Sequence, residues 1–352
     1  MEDDMTSPAG LWQGTSKKRG TAAVVTIAGL ALMTLSACGG SSTSEPAASS
    51  AAAPAASAAP SGAAPSAAAP AGLGADQWVS NVGEFKDAAN WDVAEVVTLD
   101  LAAAMTPAAL DLVAGMPYEI QITNSGAADQ GISAPDLFRA SAVRKTESGA
   151  EIKMFQFSDV YAAAGKKVSL FLIPVMPGSY PLAGVGADGA PMAGLTGTVN
   201  VTGDVPTAPA PVIEPLTSLG APEGAADMIA AAIPTWDADA TAVTITMGDQ
   251  DGASGFYKPA DTALKVGVPA IITFENKGTV LHVYECEDFL KTAATWKVTG
   301  SDGWNTGAQV RPADVEAGVS TSLFVIPTVA GTYTLTDSAP DMESISATIT
   351  VS

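Results

Sequence analysis

The chain predicts an all-β protein made of two antiparallel β-sandwiches in tandem, and three observations carry that prediction. First, segments recur about 150 residues apart. Asn124-Ser-Gly126 followed by Gln130 returns as Asn276-Lys-Gly278 followed by His282, and Ser169-Leu-Phe-Leu-Ile-Pro174 returns as Ser322-Leu-Phe-Val-Ile-Pro327. Second, apolar residues alternate with polar ones over short runs, the period of a half-buried strand. Third, Gly and Pro punctuate those runs and helical periodicity is slight, which is the pattern of sandwich folds.

Taken in order, the first 37 residues read as an export signal. Lys17-Lys18-Arg19 form a positive head, and Thr21 to Leu35 form an apolar run too short to span a bilayer comfortably. The run closes on Leu35-Ser36-Ala37-Cys38, which resembles a bacterial lipobox. The resemblance implies diacylation of Cys38, its covalent lipid anchoring the mature chain extracytoplasmically on a bacterial membrane. Residues 38–74 are almost purely Ala, Ser, Pro and Gly, with Glu45 the only charge. They have no large side chains to bury and read as a disordered tether, spanning roughly 30–35 Å.

A first domain is expected over 75–203. A short helical lead-in carries Trp78, Val82 and Phe85. Val97, Leu99 and Leu101 then alternate with polar residues, as do Tyr118, Ile120 and Ile122. Leu170 to Ile173 is a continuous apolar run suited to the space between two sheets, and Val199 and Val201 close the unit. A proline-rich linker occupies 204–222, and a second domain over 223–352 repeats the first. There Val243, Ile245 and Met247 match Val97, Leu99 and Leu101, Ile272 and Phe274 match Ile120 and Ile122, and Ile349 and Val351 match Val199 and Val201.

The chain has 16 Lys and Arg against 37 Asp and Glu, a net charge of −21. A field of that sign repels phosphate backbones, so nucleic acid is not an expected partner, whereas cations and basic proteins are favoured. There are two cysteines. If Cys38 carries lipid, Cys286 has no partner in the chain, and the cores must hold the fold without a disulfide.

Each half also shares a longer frame. A Gly-x-Pro turn (Gly115 to Pro117, Gly267 to Pro269) is followed by a strand and Asn-x-Gly. Asp136-Leu-Phe-Arg139 or Asp288-Phe-Leu-Lys291 comes next, then Ala-Gly, the Phe-containing strand, and Gly178-Ser-Tyr180 or Gly331-Thr-Tyr333. This order resembles the cupredoxins, the plastocyanin- and azurin-like Greek-key sandwiches, over about 110 residues in each half. The fold implied is two tandem cupredoxin-like Greek-key β-sandwiches.

The resemblance also implies a place for copper, with one His after Asn-x-Gly and a Cys, a second His and a Met after Gly-x-Tyr. Blue copper needs a thiolate and two imidazoles in trigonal array with a weak axial sulfur. His282, the only histidine, falls at the first position, and its counterpart is Gln130. The cysteine position falls near Asp337 in one half and Gly184 in the other. Met342 and Met192 remain as axial sulfurs or as core-filling side chains. A complete blue-copper centre is therefore not expected. Cys286, four residues beyond His282, is too far along an extended strand to share a metal with it. On a strand it reads as a buried apolar residue, whereas a helix would bring the two together.

Asp249-Gln-Asp251-Gly252 resembles part of a calcium loop but lacks the later carboxylates, and reads as a polar turn. No phosphate-cradling loop or histidine-rich cage is evident, so an enzyme is not expected and no catalytic residue is assigned. The leading expectation is a lipid-anchored binding or assembly subunit of an envelope complex, by analogy an electron-transport complex. The alternative is binding or delivery of copper or another metal centred on His282, with Met342 as a further ligand. A third is an adhesion role in which the repeat acts as a spacer.

Overall fold

The computed structural model describes residues 73–249, 255–310, 313–339 and 345–352. Cys38, the export signal, most of the tether and Met342 lie outside these residues. The all-β expectation holds, with strands as the principal element and helices confined to short connections.

The alternation seen in the sequence becomes register. Tyr118–Asn124 and Ala270–Asn276 bury every second residue in the same pattern, because successive side chains on a strand point to opposite faces. In the first half, one layer places Tyr118–Asn124 between a parallel Glu95–Leu101 and an antiparallel Lys167–Pro174, which in turn pairs with Ser141–Glu147. The other layer runs Ala109–Val113, Pro191–Thr202, Gly178–Gly186, Gln130–Ser133, Met154–Ala162. The second half repeats both layers. Thr241–Asp249 runs parallel to Ala270–Asn276, followed by Ser320–Pro327 and Ala293–Thr299. Opposite them lie Asp261–Leu264, Ser346–Val351, Gly331–Asp337 and His282–Glu285. Leu99, Ile122, Leu170, Leu112, Val199 and their repeats, such as Ile245, Phe274 and Leu323, fill one continuous core.

What the repeat does not announce is that the halves share their sheets. Met154–Ala162 pairs antiparallel with Gly303–Val310, and Glu151 pairs with Asp314. Each of the two large sheets therefore has 11 strands, one layer drawn from each half. The two halves lie within one compact unit. Close approach along the seam requires Gly303, where a Cβ would stand 2.0 Å from the Tyr161 carbonyl oxygen.

Charges cluster at the shorter junction. Lys153 reaches Asp314 at 2.8 Å and Glu151 at 3.1 Å, and Lys145 pairs with Glu151 and with Glu147. Burial pushes the Glu151 carboxyl up, but Lys145 and Lys153 outweigh it and leave it below its ordinary value.

The proline-rich segment is tied down along residues 210–218: Ile213–Pro215 pairs antiparallel with Gln77–Val79, Asn81 bonds Ala210 and Val212, and Trp78 Nε1 donates to Ser218 Oγ. Trp78, expected in a helical lead-in, is thus on a strand, while Val82 and Phe85 sit on the helix Val82–Ala88 and are buried.

Two predictions follow from the seam. Gly303→Val should destabilise the fold by about 3 kcal/mol, as backbone overpacking does, whereas Gly83→Ala, on a helix with open space around it, should stabilise by about 0.5–1 kcal/mol. Urea unfolding of both variants checks the contrast. Because the folded-state carboxyl of Glu151 is depressed, its contribution is present above the ordinary carboxylate pKa and is lost as pH falls through the folded value. Glu151→Gln should therefore flatten the acid side of the stability profile between about pH 5 and 3, while leaving the slope above pH 6 unchanged.

Candidate functional site

The site that the frame marks out is built on the Asn-x-Gly loop of the second half. Asn276 folds this loop upon itself. Its amide donates to the Val280 carbonyl at 2.8 Å and the Val315 carbonyl at 2.7 Å, and its Oδ1 accepts from the Gly278 amide at 2.8 Å. Asn124 makes the same three bonds in the first half, to Ala128, Ala162 and Gly126. The loop delivers His282 as the first residue of its strand, with the side chain fully buried.

Asp337 meets it there. Its residue lies opposite Tyr284 in the neighbouring strand, and its Oδ2 bonds His282 Nδ1. Its Oδ1 accepts from the amides of Val283 and Ala339, each at 3.0 Å. The buried carboxyl thus has three hydrogen-bond partners, the satisfaction a buried polar group requires. On the other side of the ring, His282 Nε2 is buried without a partner. A Cβ at Gly278 would fall 3.0 Å from that nitrogen and 2.1 Å from Asp249 Oδ1, so the glycine lets both atoms pack against its backbone. The Thr279 hydroxyl and amide donate to Asp249 and hold its carboxyl below its ordinary value, with His282 adding to the effect.

The first half shows what becomes of the same place without the imidazole. Gln130 is buried, its Nε2 packed over Gly126 and its Oε1 without a partner. Gly184, the counterpart of Asp337, pairs with Ile132 as Asp337 pairs with Tyr284. Its missing Cβ makes room for Leu195, whose Cβ would lie 2.2 Å from one placed at Gly184. An apolar side chain therefore takes the place that the frame would give to a metal ligand.

The remaining candidates fall apart spatially or chemically. Cys286 follows the strand His282–Glu285 and caps the helix Glu287–Lys291. Burial pushes its thiol up to about 12, Glu285 adding to the effect, so it is a poor source of thiolate. Met192 is half-buried against the core. Asp249 ends a strand that hairpins to Gly255–Lys258, and Asp251 and Gly252 lie outside the described residues. No group of three or more His, Cys, Asp or Glu among the described residues is placed to hold a metal ion. The residues present do not fit a blue-copper centre, since a carboxylate already bound to the imidazole stands at the thiolate position. The part played by Asp337 was not evident from the sequence, although its place beyond Gly-x-Tyr, opposite the lone histidine in the frame, was the available signal.

No family model matches the chain, and no curated protein does. Solved structures do align with it. A copper-containing nitrite reductase from Thermus scotoductus aligns at 12% identity and a TM-score of 0.26, over 74% of this chain and 62% of that one. Copper nitrite reductase from Nitrosomonas europaea aligns at 12% and 0.25, over 74% and 94%. A multicopper oxidase from Campylobacter jejuni aligns at 12% and 0.26, over 69% and 55%. The chain thus spans less than two thirds of the first of these. Likeness at this level transfers no site residue. One expectation is corrected by it: the chain was expected not to be an enzyme, and the proteins it aligns with are enzymes. That expectation rested on the lone histidine and the missing cage, which speak to particular centres and not to what such a scaffold can host.

Asp337→Ala would leave a buried imidazole and two amides without an acceptor, and should cost about 3–5 kcal/mol. Asp337→Asn keeps an acceptor and should cost less than half as much. Denaturant titration of the two variants reads the difference.

Proposed function

We propose that this protein is a lipid-anchored, extracytoplasmic binding or assembly subunit of a bacterial envelope complex, built on a cupredoxin-like tandem repeat whose copper positions have passed to structural duty. The observation that carries the reading is the Asp337 carboxylate, bound to His282 and to two amides where blue copper would need a thiolate. Leu195 beside Gly184 supports it from the other half. The lipobox-like Leu35-Ser-Ala-Cys38, the Ala- and Pro-rich tether and the net charge of −21 support a tethered, acidic module that meets a basic partner close to the membrane. An electron-transport complex is the partner class this reading takes.

A second reading, copper or another metal held at His282, is favoured by the partnerless Nε2, which packs with Asp249 Oδ1 against Gly278. One donor pair of this kind binds weakly at best, and Met342 would have to complete it.

Copper(II) added to the protein should give no intense blue thiolate-to-copper band, and such a band would refute the first reading. Calorimetry with copper(II) separates the second: stoichiometric uptake that disappears in His282→Ala and persists in Gln130→Ala would establish it. Cys38→Ser should move the protein from the membrane fraction to the soluble one and abolish labelling by radioactive palmitate. Affinity purification from native membranes should then recover one envelope complex, from which Cys38→Ser is depleted.

A further inference from the structure

A cleft of about 460 Å³ opens where the helix Ala225–Ala232 passes the seam between the halves. That volume lies in the range of small-molecule sites, which favour boundaries between structural units. Its apolar wall comes from Ala225, Ile229 and Ile233 of the helical segment and from Trp296. Tyr161 and Trp304, one from each half, stack at 4.6 Å and 12° along the seam. Two carboxylates, Asp159 and Asp188, line the same space, and no Lys, Arg or His does.

Several features there are unexplained by folding alone. The Thr295 side chain is buried, lines the cleft, and has no partner for its hydroxyl, a cost that a native core seldom leaves standing. The Thr306 hydroxyl donates to Asp159 Oδ2, leaving Oδ1 without a side-chain donor. Gln309 lines the cleft with a φ of 56°, and the ladder slips register between Thr306 and Gly307. Bulges and left-handed backbone at non-glycine residues collect at ligand sites.

The lining selects the class of ligand. The charged groups that line the cleft are both acidic, which disfavours an anion, and an apolar wall cannot replace the hydration shell of a metal ion. Lys297 Nζ already lies over the rings of Trp296, at 4.4 Å, and Phe324, at 4.3 Å, and approaches Trp304 at 5.7 Å. Those rings therefore offer the ligand apolar surface, and its charge must be met by the carboxylates. From this we infer that the cleft binds a small primary organic ammonium with an apolar body. The head is shared between Asp159 and Asp188. The assignment is independent of His282.

Phenylbutylammonium is the probe, with phenylbutanol as its neutral equivalent, followed by tryptophan fluorescence and calorimetry on the full chain. Saturable one-to-one binding is expected, with phenylbutanol about tenfold weaker or worse. The Asp159→Asn/Asp188→Asn double variant should lose about tenfold in affinity. Ala226→Trp, placed on the exposed side of the helix where it can fill the opening, should abolish binding, and the exposed Asp92→Asn, outside the cleft, should leave it unchanged. Four results would overturn the proposal: no saturable binding, equal binding of the alcohol, indifference to the double variant, or loss of affinity in Asp92→Asn, which would mean a general attraction to an acidic protein. Capture of a lysine-bearing peptide without any affinity for the small ammonium would make the cleft a protein-docking site and sink the small-molecule assignment.

Discussion

The pairing of Met154–Ala162 with Gly303–Val310 is the constraint on which the rest of the architecture depends. A sandwich ends in edge strands whose unpaired amides and carbonyls are costly to bury and prone to pair with another chain. Here an edge of each half is consumed by the other. The consequence reaches well beyond the seam. Every strand of a layer is registered, through its neighbours, against strands of the opposite half, so neither half can slip without breaking a ladder. The Tyr161–Trp304 stack and the glycine at 303 are the packing terms that this ladder imposes. The ladder slips register between Thr306 and Gly307, an irregularity of the kind that bends a strand and sharpens its local twist.

The two halves amount to an internal comparison of one site under two sequences. Both keep the Asn-x-Gly loop with the same three hydrogen bonds, and both keep the Tyr whose hydroxyl donates four residues back, to Met176 and to Val329. Those are scaffold terms, since they persist whatever the site contains. What differs is the filling. One half closes the space with a leucine over a glycine, and the other with a carboxylate clamped on an imidazole. The leucine solution is cheap, because it buries no charge. The carboxylate solution demands three hydrogen bonds for Asp337, and each half leaves one polar atom of its own unpaired, His282 Nε2 here and Gln130 Oε1 in the first. Retaining the more expensive arrangement in only one half is an asymmetry that packing alone does not account for.

The strands were legible because their burial follows period two, and the repeat was legible because both halves meet the same steric demands at Asn, Gly and Tyr. The seam was not. Met154–Ala162 and Gly303–Val310 have no repeated motif, and a residue such as Gly303 looks like a turn until its neighbour across the ladder is known. Trp78 was misplaced for a related reason: its strand exists only through pairing with Ile213–Pro215, 136 residues further on, and nothing local predicts it. The histidine was found by position, but its partner was not, because an aspartate after a Gly-x-Tyr strand carries no signal until the two strands are side by side. Long-range pairing is the common element in what was missed.

The distribution of charge follows from the same seam. An acidic chain pays for its solubility in self-repulsion within the compact state, and the position of the few cations decides where that repulsion is relieved. Lys145 and Lys153 sit in the network that joins Glu151 to Asp314, and Lys166 of the first half pairs with Asp302 of the second at 3.0 Å. Pairs at a partly buried junction are screened by salt far less than pairs on an open surface. These lysines therefore act where the halves join, whereas Lys277 and Lys291 pair with Glu275 and Glu287 on the open surface of the second half. The more buried pairs, those of Lys145 and Lys153 with Glu151 and Asp314, should hold the join with less loss as ionic strength rises than the open pair of Lys166 with Asp302.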